Sequence, residues 1–147
     1  MEINVLKQGD PLWEKVIPFA ADCPWSAGPY LARMMENGEF RDWERVISAF
    51  EEGEPAGFCT FTQYDSLPEE TGFSPFIGFM YVDGRHRGHR LSQKMAEAAM
   101  DYARSLGYTE VYLTSDEKGL YEKYGFVPIG VFMTHRGVAE QLFRKDI

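Results

Sequence analysis

The 147-residue sequence carries 15 lysines and arginines against 23 aspartates and glutamates, a formal net charge of -8, with 44% hydrophobic and 26% charged residues. That length predicts one domain, residues 1–147, around one core, and the ordinary globular usage excludes a disordered, fibrous or repeat chain. The acidic balance excludes a general binder of nucleic acid, while the lack of a membrane-length apolar run and of a secretory signal in MEINVLKQGD predicts a cytoplasmic protein with no membrane partner.

In chain order, Glu2–Leu6 alternates as a short strand, and Asp10-Pro11 supplies an N-cap and a favoured first helical residue. Trp13, Val16, Ile17 and Ala20 keep helical spacing after it, and a second helix runs from about Ala27 to Glu36 with Tyr30, Leu31, Met34 and Met35 on one face. Trp43–Phe50 and Ala56–Tyr64 read as strands joined through the turn EEGEP, followed by a polar loop from Asp65 to Ser74. Phe76–Val82, FIGFMYV, is the nearly continuous apolar run of a central strand covered on both faces. From His89 the apolar residues recur at three and four until Gly107, which marks a helix packed by one face. Thr109–Thr114, a short helix Lys118–Lys123, Phe126–Met133 and Val138–Phe143 complete the chain. Helices interleaved with a mixed sheet place the fold in the α/β or α+β class, in three layers.

Cys23 and Cys59 are far apart and the histidines, His86, His89 and His135, are scattered, so neither a disulfide framework nor a metal site is expected. The charge pattern is more informative. Arg85, Arg87, Arg90 and Lys94 crowd the start of the helix after FIGFMYV. A helix N-terminus is already the positive end of the backbone dipole, so cations there are costly unless an anion sits among them. Strand, turn with Gly84 and Gly88, then helix is the arrangement that aims free backbone N–H groups at a phosphate. Ordinary solvated arginines are the bland alternative. The nucleotide-binding glycine–lysine–serine loop and the dinucleotide fingerprint are both absent.

Arg87-Gly88-His89-Arg90-Leu91-Ser92 resembles the motif Arg/Gln-x-x-Gly-x-Gly/Ala of the GNAT superfamily of acetyl-coenzyme A dependent N-acetyltransferases, with Arg90 and Ser92 departing from the small residues of the pattern. Gly119–Gly130, GLYEKYGFVPIG, is similar to the family's Leu-Tyr-x-Lys-x-Gly-Phe segment, and the resemblance covers roughly Val46 to Gly130. It implies a GNAT-like three-layer fold with a mixed, mostly antiparallel central sheet flanked by helices. It also implies acetyl-coenzyme A as cosubstrate, with its pyrophosphate at Arg87–Ser92. The pantetheine arm would pair with the backbone of Met80, Tyr81 and Val82 in the manner of an added strand, and an N–H near Val82 would polarise the thioester carbonyl.

By the same resemblance Tyr121 is the general acid that protonates the departing thiolate, a sensible transfer from a hydroxyl of pKa near ~10 to a thiol of pKa near ~8.5. The bland alternative is that Tyr121, Tyr124 and Phe126 only cover the sheet. TSDEKG stands where the family has an asparagine, and no role is assigned to Thr114, Ser115 or Asp116. A lysine-like amine must lose its proton before attack, at about 4.6 kcal/mol at pH 7. FIGFMYV offers no carboxylate, so Glu36, Asp65, Glu69, Glu70 and Asp116 are the candidate bases.

Trp25, Tyr30, Met34 and Tyr64 are candidates to line an acceptor pocket, and the partner is a small-molecule or peptide amine. Edge strands near the C-terminus leave room for a homodimer. Two rival readings stand beside the enzyme: a non-catalytic acyl-coenzyme A binding module on the same fold, and a nucleotide-phosphate binder using the basic loop alone.

Overall fold

A computed structural model describes residues Met1–Ile147. The strands are β1 (Glu2–Leu6), β2 (Arg45–Glu51), β3 (Glu54–Thr62), β4 (Phe76–Val82), β5 (Glu110–Ser115), β6 (Val127–Met133) and β7 (Ala139–Asp146). The helices are α1 (Pro11–Asp22), α2 (Ala27–Glu36), α3 (Leu91–Ser105) and α4 (Leu120–Lys123). All seven strands form one sheet in the order β1-β2-β3-β4-β5-β7-β6. Only β4 and β5 are parallel, and α3 makes the crossover that a parallel pair requires.

Alternation along the inner strands sends side chains to two cores. Ile47, Cys59, Phe61 and Ile77 meet Leu91, Met95, Ala99 and Ala103 of α3 on one face. Val46, Phe58 and Tyr81 meet Trp13, Val16, Leu31 and Met35 of α1 and α2 on the other. A sheet apolar on both faces requires helices on both, which is the three-layer, mostly antiparallel mixed fold.

Several element ends differ from the sequence reading, each for a local reason. Pro55 lies inside β3, opposite Phe50, and the turn is the shorter Glu52–Gly53, both with positive φ (51° and 81°) as a type I′ hairpin requires. Glu44 belongs to the approach to β2, where its carboxylate accepts the backbone N–H groups of Arg41 (2.7 Å) and Gln63 (2.8 Å). Asp10 does not cap α1; its carboxylate accepts the Lys7 N–H at 2.9 Å. In α2 the packed residues are Gly28, Leu31, Ala32 and Met35, whereas Tyr30 is 55% exposed. α3 begins at Leu91, not His89, because Arg90 takes a left-handed conformation.

Gly57 fixes how closely β3 lies against β4. A Cβ there would stand 2.7 Å from the Tyr81 carbonyl oxygen and 3.3 Å from the Val82 Cα, a collision with backbone that side-chain motion does not relieve. Gly57→Ala is expected to destabilise the fold by about 1–3 kcal/mol, the usual range for overpacking, read as a lower urea midpoint with an unchanged slope.

Candidate active site

The site begins where a sheet ladder fails. β5 meets β4 at one level only, Phe76 beside Tyr112, with the Tyr112 N–H donating to the Pro75 carbonyl at 3.0 Å. Beyond it β5 pairs with β7 through Ser115. On its other side β4 stays paired with β3, but the register slips between Phe58 and Thr60, and opposite that slip Phe79 has a φ of 49°. A bulge of this kind bends a strand and re-aims the residues after it. Met80, Tyr81 and Val82 follow the bend along an open cleft of about 760 Å³.

After β4, Asp83 shapes the turn. Its carboxylate accepts the Arg85 N–H at 3.2 Å and pairs with the Arg85 guanidinium at 3.1 Å, and the Arg85 N–H in particular holds the carboxyl below its usual value. The Arg87 Nε donates to the Val82 carbonyl at 3.3 Å, so the turn folds back on the end of the strand. Gly88 has a φ of 87° with open space on the side a Cβ would occupy. Arg90 follows at φ 59°, ψ 31°, the backbone that a glycine would take without strain. α3 then starts with no side-chain cap, which leaves its first N–H groups unsatisfied at the cleft.

Of the cations here, Arg85 has a carboxylate partner, whereas no ion pair holds Arg87, Arg90 or Lys94. Free helix N–H groups, the positive dipole end and unpaired guanidinium groups together suit a diphosphate. The cleft is lined by Met80, Tyr81, Val82, Arg87, Gly88, Arg90, Leu91 and Ser92. His89 instead lines an adjoining depression of about 530 Å³ with Glu51, Arg85, His86 and Lys94. No group of three or more side chains is placed to hold a metal ion.

Tyr121 stands behind the cleft rather than on its wall. It is 6% exposed, with its ring 5.8 Å from Tyr124 and 6.0 Å from Phe126 and Phe143. Burial pushes its hydroxyl well above the ordinary tyrosine value, and Cys59, Tyr124 and Glu117 push the same way, so it keeps its proton at neutral pH. Tyr124, one helical turn on, lines the cleft and shares a 2.7 Å hydrogen bond with the Ser92 hydroxyl. Its carbonyl accepts the Lys145 ammonium at 2.6 Å, which closes the C-terminus of α4.

Glu117, Leu120, Tyr124 and Pro24 also line the cleft, none of them a residue that the sequence pattern alone picks out for it. Tyr124 carried a legible sign in its spacing of three residues from Tyr121, while Pro24 arrives from the α1–α2 loop by tertiary folding alone. In the TSDEKG segment, Thr114 shares a hydrogen bond with Ser66, and Ser115 accepts the Glu117 N–H at 3.0 Å.

On the α1–α2 face the aromatic residues form a wall along β4. Trp25 stacks on Tyr81 (6.2 Å, 12°) and Tyr30 on Phe79 (6.2 Å, 10°). Trp25 lines the cleft, whereas Tyr64 receives a hydrogen bond from the neighbouring Gln63 amide at 3.2 Å. Among the candidate bases, Glu36, Glu69, Glu70 and Asp116 are exposed. Asp65 is half-buried as a residue, with its carboxyl group packed against Gly78 of β4.

The profile of the Acetyltransferase (GNAT) family matches residues 13–126. Solved structures share the fold. An aminoglycoside 6'-N-acetyltransferase complexed with coenzyme A superposes with a TM-score of 0.70 at 14% identity, covering 99% of this chain and 97% of that one. The aminoglycoside 6'-N-acetyltransferase from Enterococcus faecium gives 0.74 at 15% identity over 99% and 97%. The ribosomal-protein-alanine N-acetyltransferase from Brucella melitensis gives 0.68 at 16% identity over 100% of both chains. No curated protein matches the sequence.

Arg90 separates backbone strain from ligand charge. Arg90→Gly is expected to raise stability by about 0.5–1 kcal/mol, the left-handed strain relieved less the extra chain entropy of glycine. The same change is expected to weaken inorganic pyrophosphate binding several-fold, with both effects read by urea denaturation and calorimetry on one sample.

Proposed function

Since the chain belongs to the acetyltransferase (GNAT) family, we propose that it transfers the acetyl group of acetyl-coenzyme A to a primary amine by direct attack, residues 1–147 acting as one catalytic unit. The observation that carries this reading is the uncapped start of α3, whose free N–H groups share one cleft with unpaired Arg87 and Arg90 and the splayed strand Met80–Val82. When bound, acetyl-coenzyme A supplies an activated acyl thioester.

The residues divide the work. Arg87, Gly88 and Arg90 to Ser92 hold the pyrophosphate through N–H groups and guanidinium groups, with Gly88 leaving the backbone accessible and His89 turned to the adjoining depression. The β4 backbone from Met80 to Val82 orients the extended arm, because β5 has turned away and no ladder fills that side. A β4 N–H in this stretch polarises the thioester carbonyl. Tyr121 is the general acid for the leaving thiolate, its burial keeping the hydroxyl protonated until a neighbouring anion develops.

Primary amines as acceptors are supported by the aminoglycoside and ribosomal-protein enzymes that share the fold. Free Cys23 and Cys59 suit a reducing, cytoplasmic setting, and no helix is long and apolar enough to cross a membrane. Coenzyme A release separates this enzyme from a non-catalytic acyl-coenzyme A binding module.

A homodimer through β6 belongs to the same proposal. β6 is the outermost strand, its sequence VPIGVFM carries no charge, and Val127, Val131 and Met133 are 60%, 68% and 60% exposed. A free apolar edge is a template for pairing with a second copy. Val131→Lys is expected to shift the sedimentation profile from dimer to monomer.

Calorimetric titration with acetyl-coenzyme A is expected to show micromolar binding to the wild type and at least roughly ten-fold weaker binding to the Arg87→Ala, Arg90→Ala double variant, the scale of two lost charge-assisted contacts. Tyr121→Phe is expected to lower coenzyme A release across an amine panel by about a hundred-fold with unchanged acetyl-coenzyme A affinity. Unchanged turnover in Tyr121→Phe combined with loss in Tyr124→Phe would transfer the acid role to the tyrosine that lines the cleft.

A further inference from the structure

β4, FIGFMYV, carries no carboxylate of its own, and one is brought to it from outside. The loop after β3 crosses the level at which β4 and β5 part, and it is fastened there. The Ser66 carbonyl accepts the His135 N–H of the β6–β7 connection at 2.8 Å, and the Ser66 hydroxyl bonds Thr114 of β5. Its neighbour Asp65 is thereby pressed onto β4 at Gly78. A Cβ on Gly78 would stand 2.6 Å from the Asp65 Cγ and 2.9 Å from Oδ2, so the carboxylate occupies the space that any other residue would fill with its own side chain.

Three further facts make this a site rather than packing. Gly78 immediately precedes the bulged Phe79, so the carboxylate lies beside the bend after which β4 lines the cleft. No ion pair in the protein involves Asp65; Arg136 is paired instead with Glu140 at 3.1 Å. Directly opposite Gly78 in the ladder, Thr60 is 1% exposed and its hydroxyl has no hydrogen-bond partner. The Asp65 carboxylate thus has Ser66 beside it but no cation of the protein paired with it, and the buried Thr60 hydroxyl has no partner at all, a costly arrangement unless a ligand completes it.

We propose that Asp65 receives the ammonium group of the acceptor and, as general base, takes the proton that frees its nitrogen lone pair. This rests on the acetyltransferase reading. The aromatic wall beside it, Tyr30 on Phe79 and Trp25 on Tyr81, gives the substrate class: a cationic primary amine whose flank is apolar or aromatic. The proton balance closes. The ammonium N–H bond breaks with its electron pair left on nitrogen and the proton on an Asp65 oxygen. The N–C bond forms as the C–S bond breaks; the amide nitrogen sheds one more proton, the thiolate gains one, and Asp65 returns its proton to water.

Desolvation pushes the Asp65 carboxyl up to about 6, with Glu140 adding to the rise and Ser66 and Arg136 opposing it. The base form is therefore present above about pH 6 and lost below it. Because the folded value exceeds the ordinary aspartate value, the ionised carboxylate destabilises the fold at neutral pH, and this cost disappears as the pH falls through that value.

The test uses 2-phenylethylamine as acceptor, with coenzyme A release followed from pH 5 to 9 and the Asp65 carboxyl carbon followed by NMR. The wild-type kcat/KM is expected to carry an acid limb near pH 6. Asp65→Asn should lower kcat/KM at least about a hundred-fold and erase that limb, with acetyl-coenzyme A affinity within two-fold of wild type and Tm at pH 8 no lower. Gly78→Ala, which fills the seat, should show the same loss. Retained turnover with the limb intact in Asp65→Asn would overturn the proposal, as would a wild type in which the amine neither reacts nor shifts the Asp65 resonance. If the amine shifts that resonance without any coenzyme A release, the ammonium site stands and the acetyltransfer reading falls.

Discussion

Everything at the functional end of the molecule depends on the parting of β4 from β5. A parallel pair is held by slanted ladder bonds, and here it is held at the single level of Phe76 and Tyr112. Past that level β5 is paired only with β7, its partner along its whole length, while β4 keeps only β3 and bends at Phe79. The result is a sheet that stays continuous at one end and opens at the other. Backbone that would otherwise be spent on the ladder is left facing a cleft.

The elements around the opening are each fixed by a different force. α3 is held by its apolar face against the sheet, which points its uncapped N-terminus at the cleft regardless of what binds there. The Ser92–Tyr124 hydrogen bond and the Lys145 contact at the Tyr124 carbonyl hold α4 alongside. On the opposite face, Ser66 pins the β3–β4 loop to β5 and to the β6–β7 connection, which is why Asp65 can be pressed against Gly78 at all. The cations around the opening thus come from a turn, the tyrosines from a short helix and its C-terminus, and the carboxylate from a loop. None of these comes from the apolar strand that organises them.

Arg90 shows how a turn keeps a backbone conformation that its side chain disfavours. Its backbone adopts the left-handed conformation of the glycine it replaces, at a cost of roughly 1–2 kcal/mol. The turn is over-determined by Asp83, by Arg87 on the Val82 carbonyl and by the packed helix behind it. Strain of this size is tolerated where surrounding contacts leave the chain no alternative.

Periodicity and turn chemistry alone were enough to place eleven regular elements within a few residues, because apolar spacing at two or at three and four is a local property of the chain. The strand–turn–helix that carries the basic cluster was equally legible, since its strand, glycine turn and helix start are contiguous from Phe76 to Ser92. What spacing could not reveal depended on residues distant in sequence. Tyr30 has the spacing of a packed helical face and is exposed, because α2 turns Leu31, Ala32 and Met35 to the core and leaves Tyr30 at its margin, stacked on Phe79. Asp65 was one acidic loop residue among several, and only the fastening of Ser66 and the missing side chain at Gly78 separate it from the others. The sequence by itself therefore determined the layers, the basic turn and the family resemblance, all carried by neighbours along the chain. Tertiary structure alone decided which tyrosine faces the cleft and which carboxylate is desolvated, because burial is set by what the rest of the fold brings to a position.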